Sequence, residues 1–230
     1  MKANGIIDFH AHILPRADHG SDSLETTKKQ LLYLKRCGVC TVVATPHFYP
    51  QRDNVDTFLK RREESWCRLK SEITEDMPRV LLGAEVLVCS GIDHMPGIER
   101  LCVEGTEVIL LEMPMGPWRD EHIEAVRRIS RLGLTVVMAH IDRYREEEVA
   151  RLCEDCDVLY QLNGETQSTL AGRRRAYKIS RTLPVVAVGS DIHGADKRAA
   201  KNLVRLAERL KKSGIDTCES SLALLDKIHH

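Results

Sequence analysis

Eight side chains suited to binding metal ions follow, or lie within, short apolar segments spread along the chain. Glu85 and Glu112 sit inside such segments, where an ionised carboxylate is rarely buried without a compensating charge. Each of these two residues therefore requires a cation nearby. The full set consists of His10, His12, His47, Glu85, Glu112, His140, Asp191 and His193. These residue types predict a site for divalent cations.

Two of the segments carry ligand-type residues two positions apart. On an extended strand, residues i and i+2 point to the same side, so His10 and His12 are expected to bind one ion. Asp191 and His193 repeat this spacing with one carboxylate and one imidazole. Five imidazoles and three carboxylates exceed the ligands of one tetrahedral ion, so we expect two or three divalent cations. A nitrogen and oxygen ligand set without thiolate suits manganese, zinc or iron.

Two arginines each follow one of these ligands at a short distance along the chain. Arg143 lies three residues after His140, and Arg198 lies five residues after His193. Guanidinium groups beside a cation cluster would form a positive pocket that suits a phosphate dianion. The spacing alone is equally compatible with two arginines on exposed helix surfaces.

The elements that must position these residues alternate between short β-branched runs and amphipathic helices. Ser23 is a candidate N-cap for the first helix, which we expect to end at Gly38. Runs that are apolar on both faces are typical of parallel strands covered by helices. The seven predicted strands cover residues 5–9, 41–45, 80–88, 107–113, 134–140, 158–163 and 184–190. This pattern predicts an α/β fold.

A (β/α) barrel and a doubly wound open sheet both fit the alternation of strands and helices. The ligand-type residues favour the barrel, because nearly every predicted strand delivers one at its carboxyl end. In a barrel these ends converge on one face, whereas an open sheet spreads them at roughly 4.8 Å per strand. No linker or repeat divides the chain, so we expect a single domain over residues 1–230.

Composition excludes several other classes of protein. The chain has 230 residues, with 34 Lys and Arg against 34 Asp and Glu, so a uniformly basic nucleic-acid binder is not expected. A hydrophobic content of 43% predicts a folded globule rather than disorder. Neither a membrane span nor a signal peptide is recognisable, so we expect a cytoplasmic protein without membrane insertion. The oligomeric state is left open.

Eight cysteines include two pairs with CxxC spacing, Cys37/Cys40 and Cys153/Cys156. These pairs are far apart in sequence and form no typical four-cysteine zinc block. We therefore expect reduced thiols that pack as small apolar residues.

The motifs DFHAHILP, TPH, GAEV, LLEMP, AHIDRY and SDIHGADKR occur in this order between about residue 6 and residue 198. With these motifs the chain resembles the PHP (polymerase and histidinol phosphatase) metallohydrolase superfamily. More narrowly, it resembles the bacterial PHP-type tyrosine-protein phosphatases of capsule and exopolysaccharide biosynthesis. The forms HxHILP, ATPH and AH-x-x-RY are specific to this branch.

The resemblance implies a distorted, TIM-barrel-like (β/α)7 barrel around three metal ions, most often manganese. Position by position, it implies a first metal bound by His10, His12, Glu85 and Asp191. A second would be bound by Glu85, Glu112 and His140, and a third by His47, His193 and the residue at position 19. It also implies phosphate binding by Arg143 and Arg198.

Two departures from the family pattern concern individual residues. The family usually has two aspartates where this chain has Asp18 and His19. Either His19 coordinates in place of the second aspartate, which makes the site softer and less negative, or Asp18 takes over. The family motif AHPERY reads AHIDRY here, so Ile141 and Asp142 replace Pro and Glu.

The resemblance implies hydrolysis of phosphotyrosine on the tail of a bacterial tyrosine kinase that regulates polysaccharide synthesis. A small-molecule phosphatase of the histidinol-phosphate type and a phosphodiesterase are alternatives within the superfamily. A regulator that binds the kinase tail without catalysis, and a metal-storage or redox protein using the CxxC pairs, are alternatives outside it.

Overall fold

The computed structural model describes residues 5–226. Its strands arise from the apolar β-branched runs, which the predicted positions match to within a few residues. The nine strands are β1 (Ile6–Ala11), β2 (Val39–Ala44), β3 (His47–Phe48), β4 (Arg79–Leu82), β5 (Glu85–Leu87), β6 (Val108–Glu112), β7 (Thr135–Met138), β8 (Leu159–Asn163) and β9 (Val185–Gly189).

The helices connect and cover these strands. Helix α1 begins after Ser23, whose side chain accepts a hydrogen bond from the amide of Thr26, as the N-cap prediction required. The chain leaves α1 at Gly38, which has a φ of +97°, a conformation that favours glycine. The α-helices are α1 (Leu24–Arg36), α2 (Val55–Lys70), α3 (Asp120–Arg131), α4 (Glu146–Asp155), α5 (Leu170–Thr182), α6 (Lys197–Lys212) and α7 (Thr217–Leu225).

All strand pairs are parallel, and they form two sheets. One sheet has the order β1-β2-β4, and the other has the order β3-β5-β6-β7-β8-β9. The prediction of seven strands was therefore wrong in number. The predicted strand 80–88 is interrupted at Gly83-Ala84, between β4 and β5, and the short strand β3 lies beyond Pro46, after the end of the predicted strand 41–45. Pro46 has no amide hydrogen to donate, and it breaks the pairing where the chain passes from one sheet to the other.

Backbone hydrogen bonds also link strands across the boundaries of the two sheets. The amide of Glu85 donates to the carbonyl of Pro46 at 3.1 Å, and the amide of Gly83 donates to the carbonyl of Ala44 at 2.8 Å. At the other edge, the amide of Asp191 donates to the carbonyl of His10 at 2.8 Å. The first strand therefore lies beside the segment that follows the last one, and the carboxyl ends of the strands share one side of the molecule.

The buried apolar side chains of the strands and helices form two clusters. The larger cluster contains the inner faces of the helices, with Leu31, Leu34, Leu203 and Leu206 almost inaccessible to solvent. The smaller contains side chains of the strands, among them Phe9 and Val137. Among residues 5–226 no helix has the length and apolar character needed to cross a membrane.

Candidate metal centre

The first two candidate ligands lie at the carboxyl end of β1. His10 and His12 are fully buried, and their Nε2 atoms are 3.1 Å apart. Asp191, which follows β9, contacts both: its Oδ1 lies 3.2 Å from His12 Nε2 and 3.8 Å from His10 Nε2. The i, i+2 spacing thus places both imidazoles beside one carboxylate, as extended backbone requires.

Glu85, the first residue of β5, is the carboxylate around which the other ligand-type residues gather. Its Oε2 lies 3.2 Å from Nε2 of both His10 and His12. The same oxygen is 2.8 Å from Nδ1 of His47, the first residue of β3. Its Oε1 is 2.8 Å from His140 Nε2. The two strands that begin after Pro46 and after Ala84 therefore place His47 and Glu85 within the cluster.

All eight strand-end candidates enter one connected cluster. Within the described part of the chain, they form four overlapping groups of three, and the ligand atoms of each group lie within 4.8 Å of one another. The groups are His10 with His12 and Asp191; His10 with Glu85 and His140; His47 with Glu85 and Glu112; and His12 with His47 and His193. Because each group shares a residue with another, the cluster has room for more than one cation.

Several buried ligand atoms lack a hydrogen bond. Glu85 Oε2, His47 Nδ1 and His193 Nε2 have no hydrogen-bond partner among residues 5–226. The first two are 2.8 Å apart, yet they are not aligned as donor and acceptor. Buried polar atoms without partners are costly, and a bound cation satisfies such lone pairs directly. The residues present therefore fit a metal centre.

The pKa values of Glu85 and Glu112 indicate that the cluster lacks positive charge. Burial, followed by the negative charge of Glu85, raises the pKa of Glu112 to about 8. Burial also acts to raise the pKa of Glu85, but the charge of His10 and the close imidazoles of His10, His12 and His140 outweigh it and hold that pKa well below its ordinary value. Two neighbouring carboxylates thus compete for too few cations, and a divalent ion removes that competition.

The surroundings shift the pKa values of His12 and His140 in opposite directions. Burial acts to lower the pKa of His12, but its hydrogen bond with Asp18 and the nearby carboxylates of Asp191 and Glu85 raise it well above its ordinary value. Burial lowers the pKa of His140 and outweighs the effect of Glu85. A metal-binding imidazole must be neutral. A cation and a proton therefore compete for the Nε2 atom of His12, which faces Glu85 and Asp191.

His140 is positioned by residues that the sequence analysis did not single out. Its backbone is left-handed, with a φ of +32°, and its amide donates to Gln161 Oε1 at 2.6 Å. The hydroxyl of Tyr144 lies 3.3 Å from His140 Nδ1 and donates to the carbonyl of Met113 at 2.9 Å. Gln161 is the one strongly polar residue inside the apolar segment 158–163 other than the terminal Asn163, a signal that identifies it in retrospect.

Asp18 and His19 occupy different places. Asp18 Oδ2 lies 2.7 Å from His12 Nδ1 and accepts a hydrogen bond from the amide of His47 at 3.0 Å. Asp18 Oδ1 accepts from the amide of Gly20 at 2.8 Å. His19 is exposed and enters none of the four groups, although its ring centroid lies 4.8 Å from that of His193 and 4.9 Å from that of His47. Its predicted role as a ligand stays a prediction.

The two arginines line the mouth of the cluster. Arg143 Nη2 lies 2.5 Å from Asp191 Oδ2, and the side-chain Nδ2 of Asn163 donates to the same oxygen at 3.1 Å. Arg143 and Arg198 share a cavity of about 330 Å³ with Asp191 and His193. The cavity therefore joins two guanidinium groups to the edge of the ligand cluster.

The cysteines lie outside this cluster. All eight are free thiols in the structure, and none belongs to the four ligand groups. Burial raises the pKa of Cys102 to about 12 and that of Cys156 to about 11. These thiols are protonated at neutral pH, which agrees with a packing role.

Comparison with known proteins places this arrangement in context. The chain is 28% identical over 214 residues to the tyrosine-protein phosphatase CpsB of Streptococcus pneumoniae, covering 84% of this chain and 85% of that protein. It is 29% identical over 167 residues to the tyrosine-protein phosphatase YwqE of Bacillus subtilis, covering 68% and 60% of the two chains.

Solved structures share the fold. A structure from work on Bacillus subtilis YwqE and Streptococcus pneumoniae CpsB, described as metal-dependent tyrosine phosphatases, matches with a TM-score of 0.77 at 20% identity, covering 96% of this chain and 95% of that one. The lactonase Lmo2620 of Listeria monocytogenes matches with a TM-score of 0.53 at 10% identity, covering 94% and 91%. The family model for capsular polysaccharide synthesis, CpsB/CapC, matches residues 6–223, and the chain belongs to this family.

Proposed function

We propose that this chain is a metal-dependent phosphatase that hydrolyses phosphotyrosine on proteins. One observation carries the proposal: eight buried or half-buried ligand-type residues form a single cluster that opens into a cavity lined by Arg143 and Arg198. The relatives named tyrosine-protein phosphatase supply the substrate class. The specific partner we propose is the phosphorylated tail of a bacterial tyrosine kinase.

The eight residues of the cluster would hold two or three divalent cations, for which we propose manganese. Such ions, when bound, polarise phosphoryl oxygens and lower the pKa of water so that a nucleophile is available near neutral pH. His10, Glu85 and His47 each belong to two groups, so the sites would share ligands. Asp18 orients the His12 ring from outside the cluster.

The arginines bind and orient the phosphate in this proposal. A guanidinium group presents paired N–H donors that match phosphate oxygens and stabilises the charge that spreads over them during transfer. Arg143 is held by Asp191, whereas no carboxylate among residues 5–226 lies within ion-pair distance of the Arg198 guanidinium. Arg198 is therefore the arginine with the greater freedom to engage a phosphate.

The chemistry of the leaving group matches the residues present. A phenolate leaves with a pKa near 10, so phosphotyrosine needs less assistance from a general acid than an alkyl phosphate does. The side chains of Arg143 and His193 are 31% and 33% exposed, so a tyrosine side chain on a polypeptide reaches the mouth of the cluster from solvent.

Three structural proposals accompany this function. We propose that the two sheets together form a distorted barrel of seven β/α units, since hydrogen bonds bridge both sheet boundaries. The whole chain, residues 1–230, would be one domain. We propose a cytoplasmic location, which fits the eight free thiols.

Chelation tests the proposed function. Exhaustive dialysis against EDTA is expected to abolish turnover of a phosphotyrosine peptide, and added Mn²⁺ is expected to restore it, whereas alkylation of the thiols leaves turnover in place. Elemental analysis of the untreated protein is expected to give two to three ions per chain. Full activity after chelation would rule the mechanism out.

The Arg198→Ala variant separates catalysis from mere binding of metal. Its turnover is expected to fall by about 10²-fold or more, while its metal content equals that of the original chain because Arg198 lies outside the ligand groups. Loss of metal together with activity would assign Arg198 a structural role instead.

A further inference from the structure

A second cavity of about 670 Å³ continues from the mouth of the metal cluster along α6. Its residues come from α6, from the first turn of α5 and from the turn that precedes α5. They are Gln167, Ser168, Arg173, Arg198, Lys201, Asn202, Arg205 and Arg209. Ser168, Arg198 and Asn202 line both cavities, so the two are adjacent, and the second cavity is called the cleft below.

The charge of this cleft is strongly positive. Of the eight residues that line this second cavity, five are Arg or Lys and none is acidic, whereas the cavity beside the metal cluster also contains Glu165, Asp191 and Asp196. Within residues 5–226, no carboxylate lies within 4.0 Å of a charged nitrogen of any of these five side chains; the ion pairs of the neighbouring helix segment involve Lys211 instead. The whole chain has equal numbers of acidic and basic residues, so this concentration of charge is local.

Four of the cations form a row. Arg198, Lys201, Arg205 and Arg209 are spaced three or four residues apart, which places them on one face of α6. The row spans about 17 Å at the helical rise of 1.5 Å per residue. Lys201, Arg205 and Arg209 are exposed. The row therefore begins in the cavity beside the cluster and runs away from it with its charges available to a ligand.

The floor of the cleft is polar and ordered. Asn202 is 8% exposed and donates through Nδ2 to Ser168 Oγ at 2.9 Å. Gln167 is also buried and donates through Nε2 to Thr166 Oγ1 at 3.2 Å. Amide and hydroxyl groups of this kind match the N–H and C=O groups of a polypeptide backbone.

We propose that the cationic row on α6 binds an acidic stretch of the substrate polypeptide adjacent to its phosphotyrosine. This inference rests on the proposed function and adds a second point of recognition. An extended chain covers about 3.3–3.6 Å per residue, so a 17 Å row corresponds to about five residues. The favoured substrate carries carboxylates or further phosphates within about five residues of the phosphotyrosine, on one side of it.

The cleft adjoins the cavity that contains Arg143 and Arg198, and this position favours a polypeptide over other polyanions. The phosphate of a phosphotyrosine held by Arg143 and Arg198 fixes its flanking residues at the point where the row begins. A nucleic acid or an anionic polysaccharide has the charge to bind the row but has no tyrosine to anchor in the cavity. These polyanions therefore serve as the competing outcome in the experiment.

Steady-state turnover of two phosphotyrosine peptides tests the proposal. One peptide has four Glu residues beside the phosphotyrosine, and the other has four Gln residues there. The acidic peptide is expected to show the higher kcat/KM through a lower KM, by on the order of fivefold. The advantage is expected to shrink as salt rises, because exposed charges are screened.

The Arg205→Glu variant and a matched control locate the effect. Arg205→Glu is expected to abolish the preference for the acidic peptide. Arg131→Glu changes the net charge by the same amount on α3, at a residue that lines a different cavity, and is expected to keep the preference. Thermal unfolding of both variants checks that each is folded.

The outcomes separate the two proposals. Failure of the original chain to hydrolyse either peptide overturns the proposed function. Equal kcat/KM for both peptides, or a preference that Arg205→Glu retains, overturns the α6 assignment alone. If Arg205→Glu loses affinity for a labelled oligonucleotide but retains the peptide preference, the row binds a different polyanion. This result also overturns the α6 assignment.

Discussion

Asp18 acts on the cluster without belonging to a ligand group. Its Oδ2 lies 2.7 Å from His12 Nδ1, which leaves the Nε2 of that ring directed at Glu85 and Asp191. Burial acts to raise the pKa of Asp18, but the hydrogen bond from His12 outweighs it and lowers that pKa, so the carboxylate is ionised. A carboxylate behind an imidazole fixes the orientation of the ring and strengthens it as a ligand.

Exchange of Asp18 for Asn tests this role. Asp18→Asn removes the charge that orients His12, so affinity for Mn²⁺ is expected to fall by about 10–100-fold. Titration calorimetry on protein freed of metal measures the change. The neighbouring variant His19→Asn is the control, because His19 is exposed and outside the four groups; its affinity is expected to stay within about threefold. A larger loss in His19→Asn than in Asp18→Asn would make His19 the ligand, as the family resemblance implies.

At the scale of elements, α6 packs closely against the turn that follows β8, and this close packing is possible because Gly164 has no side chain. A Cβ there would lie 2.7 Å from the backbone nitrogen of Leu203 and 2.9 Å from its Cα. Both neighbours are backbone atoms of α6, so the helix itself must move to accommodate a methyl group. Arg198 lies one and a half turns earlier on the same helix, so its position depends on this contact.

The Gly164→Ala variant is expected to lower the free energy of unfolding by about 1–3 kcal/mol, the usual cost of overpacking. It is also expected to reduce turnover of a phosphotyrosine peptide, because it displaces Arg198 from the cavity. Gly116→Ala is the matched control, since a Cβ at Gly116 meets no atom within 4 Å. Urea unfolding and steady-state kinetics measure the two effects. A Gly164→Ala protein with unchanged stability and turnover would contradict this account of the contact.

Prediction from sequence succeeded where local pattern decides the structure. The alternation of apolar runs and helices gave the α/β class and the parallel strands, and the Ser23 cap was placed correctly. The interruptions at Pro46 and Gly83 were missed because both lie within or beside runs that read as continuous strands. Whether the sheets close depends on tilt and on long-range pairing, which a linear pattern does not contain.

The sequence predicted the metal ligands of the cluster but not the residues that position them. Ligand residue types at strand ends are visible in the sequence, whereas the second layer around them depends on approach in three dimensions. Gln161 contacts His140 from the neighbouring strand, 21 residues away, and Tyr144 reaches the backbone of Met113 across 31 residues. No spacing rule in the sequence identifies such contacts.

At the scale of the whole molecule, Asp8 joins the beginning of the chain to its end. This residue of β1 is fully buried, and its Oδ1 accepts a hydrogen bond from the amide of Ser190 at 2.8 Å, just after β9. Its Oδ2 has no hydrogen-bond partner among residues 5–226. Burial raises the pKa of Asp8 to about 6, against the hydrogen bonds from Ser190 that act to lower it.

This shift predicts how stability depends on pH in the metal-free protein. The unfolded chain releases the Asp8 proton near pH 3.8, whereas the folded state retains it until about pH 6. The folded state therefore binds more protons in that interval, and the contribution of Asp8 to the free energy of unfolding falls as pH rises through it. Two pKa units correspond to about 3 kcal/mol.

Urea unfolding of the chain and of Asp8→Asn, in EDTA between pH 3.5 and 7, measures this contribution. The stability of Asp8→Asn relative to the original chain is expected to improve by about 3 kcal/mol from the acidic to the neutral end, because the variant has no carboxylate to ionise. Parallel curves for the two proteins would mean that Asp8 ionises normally inside the fold.

The hydrogen bond between the Asp191 amide and the His10 carbonyl also has a consequence for synthesis of the chain. The ribosome adds His10 and His12 early, whereas their companions Asp191 and His193 follow 181 residues later. A nascent fragment therefore holds an incomplete set of donors. The two ligand groups that contain Asp191 or His193 are therefore completed late in synthesis, whereas the other two groups need no residue beyond His140.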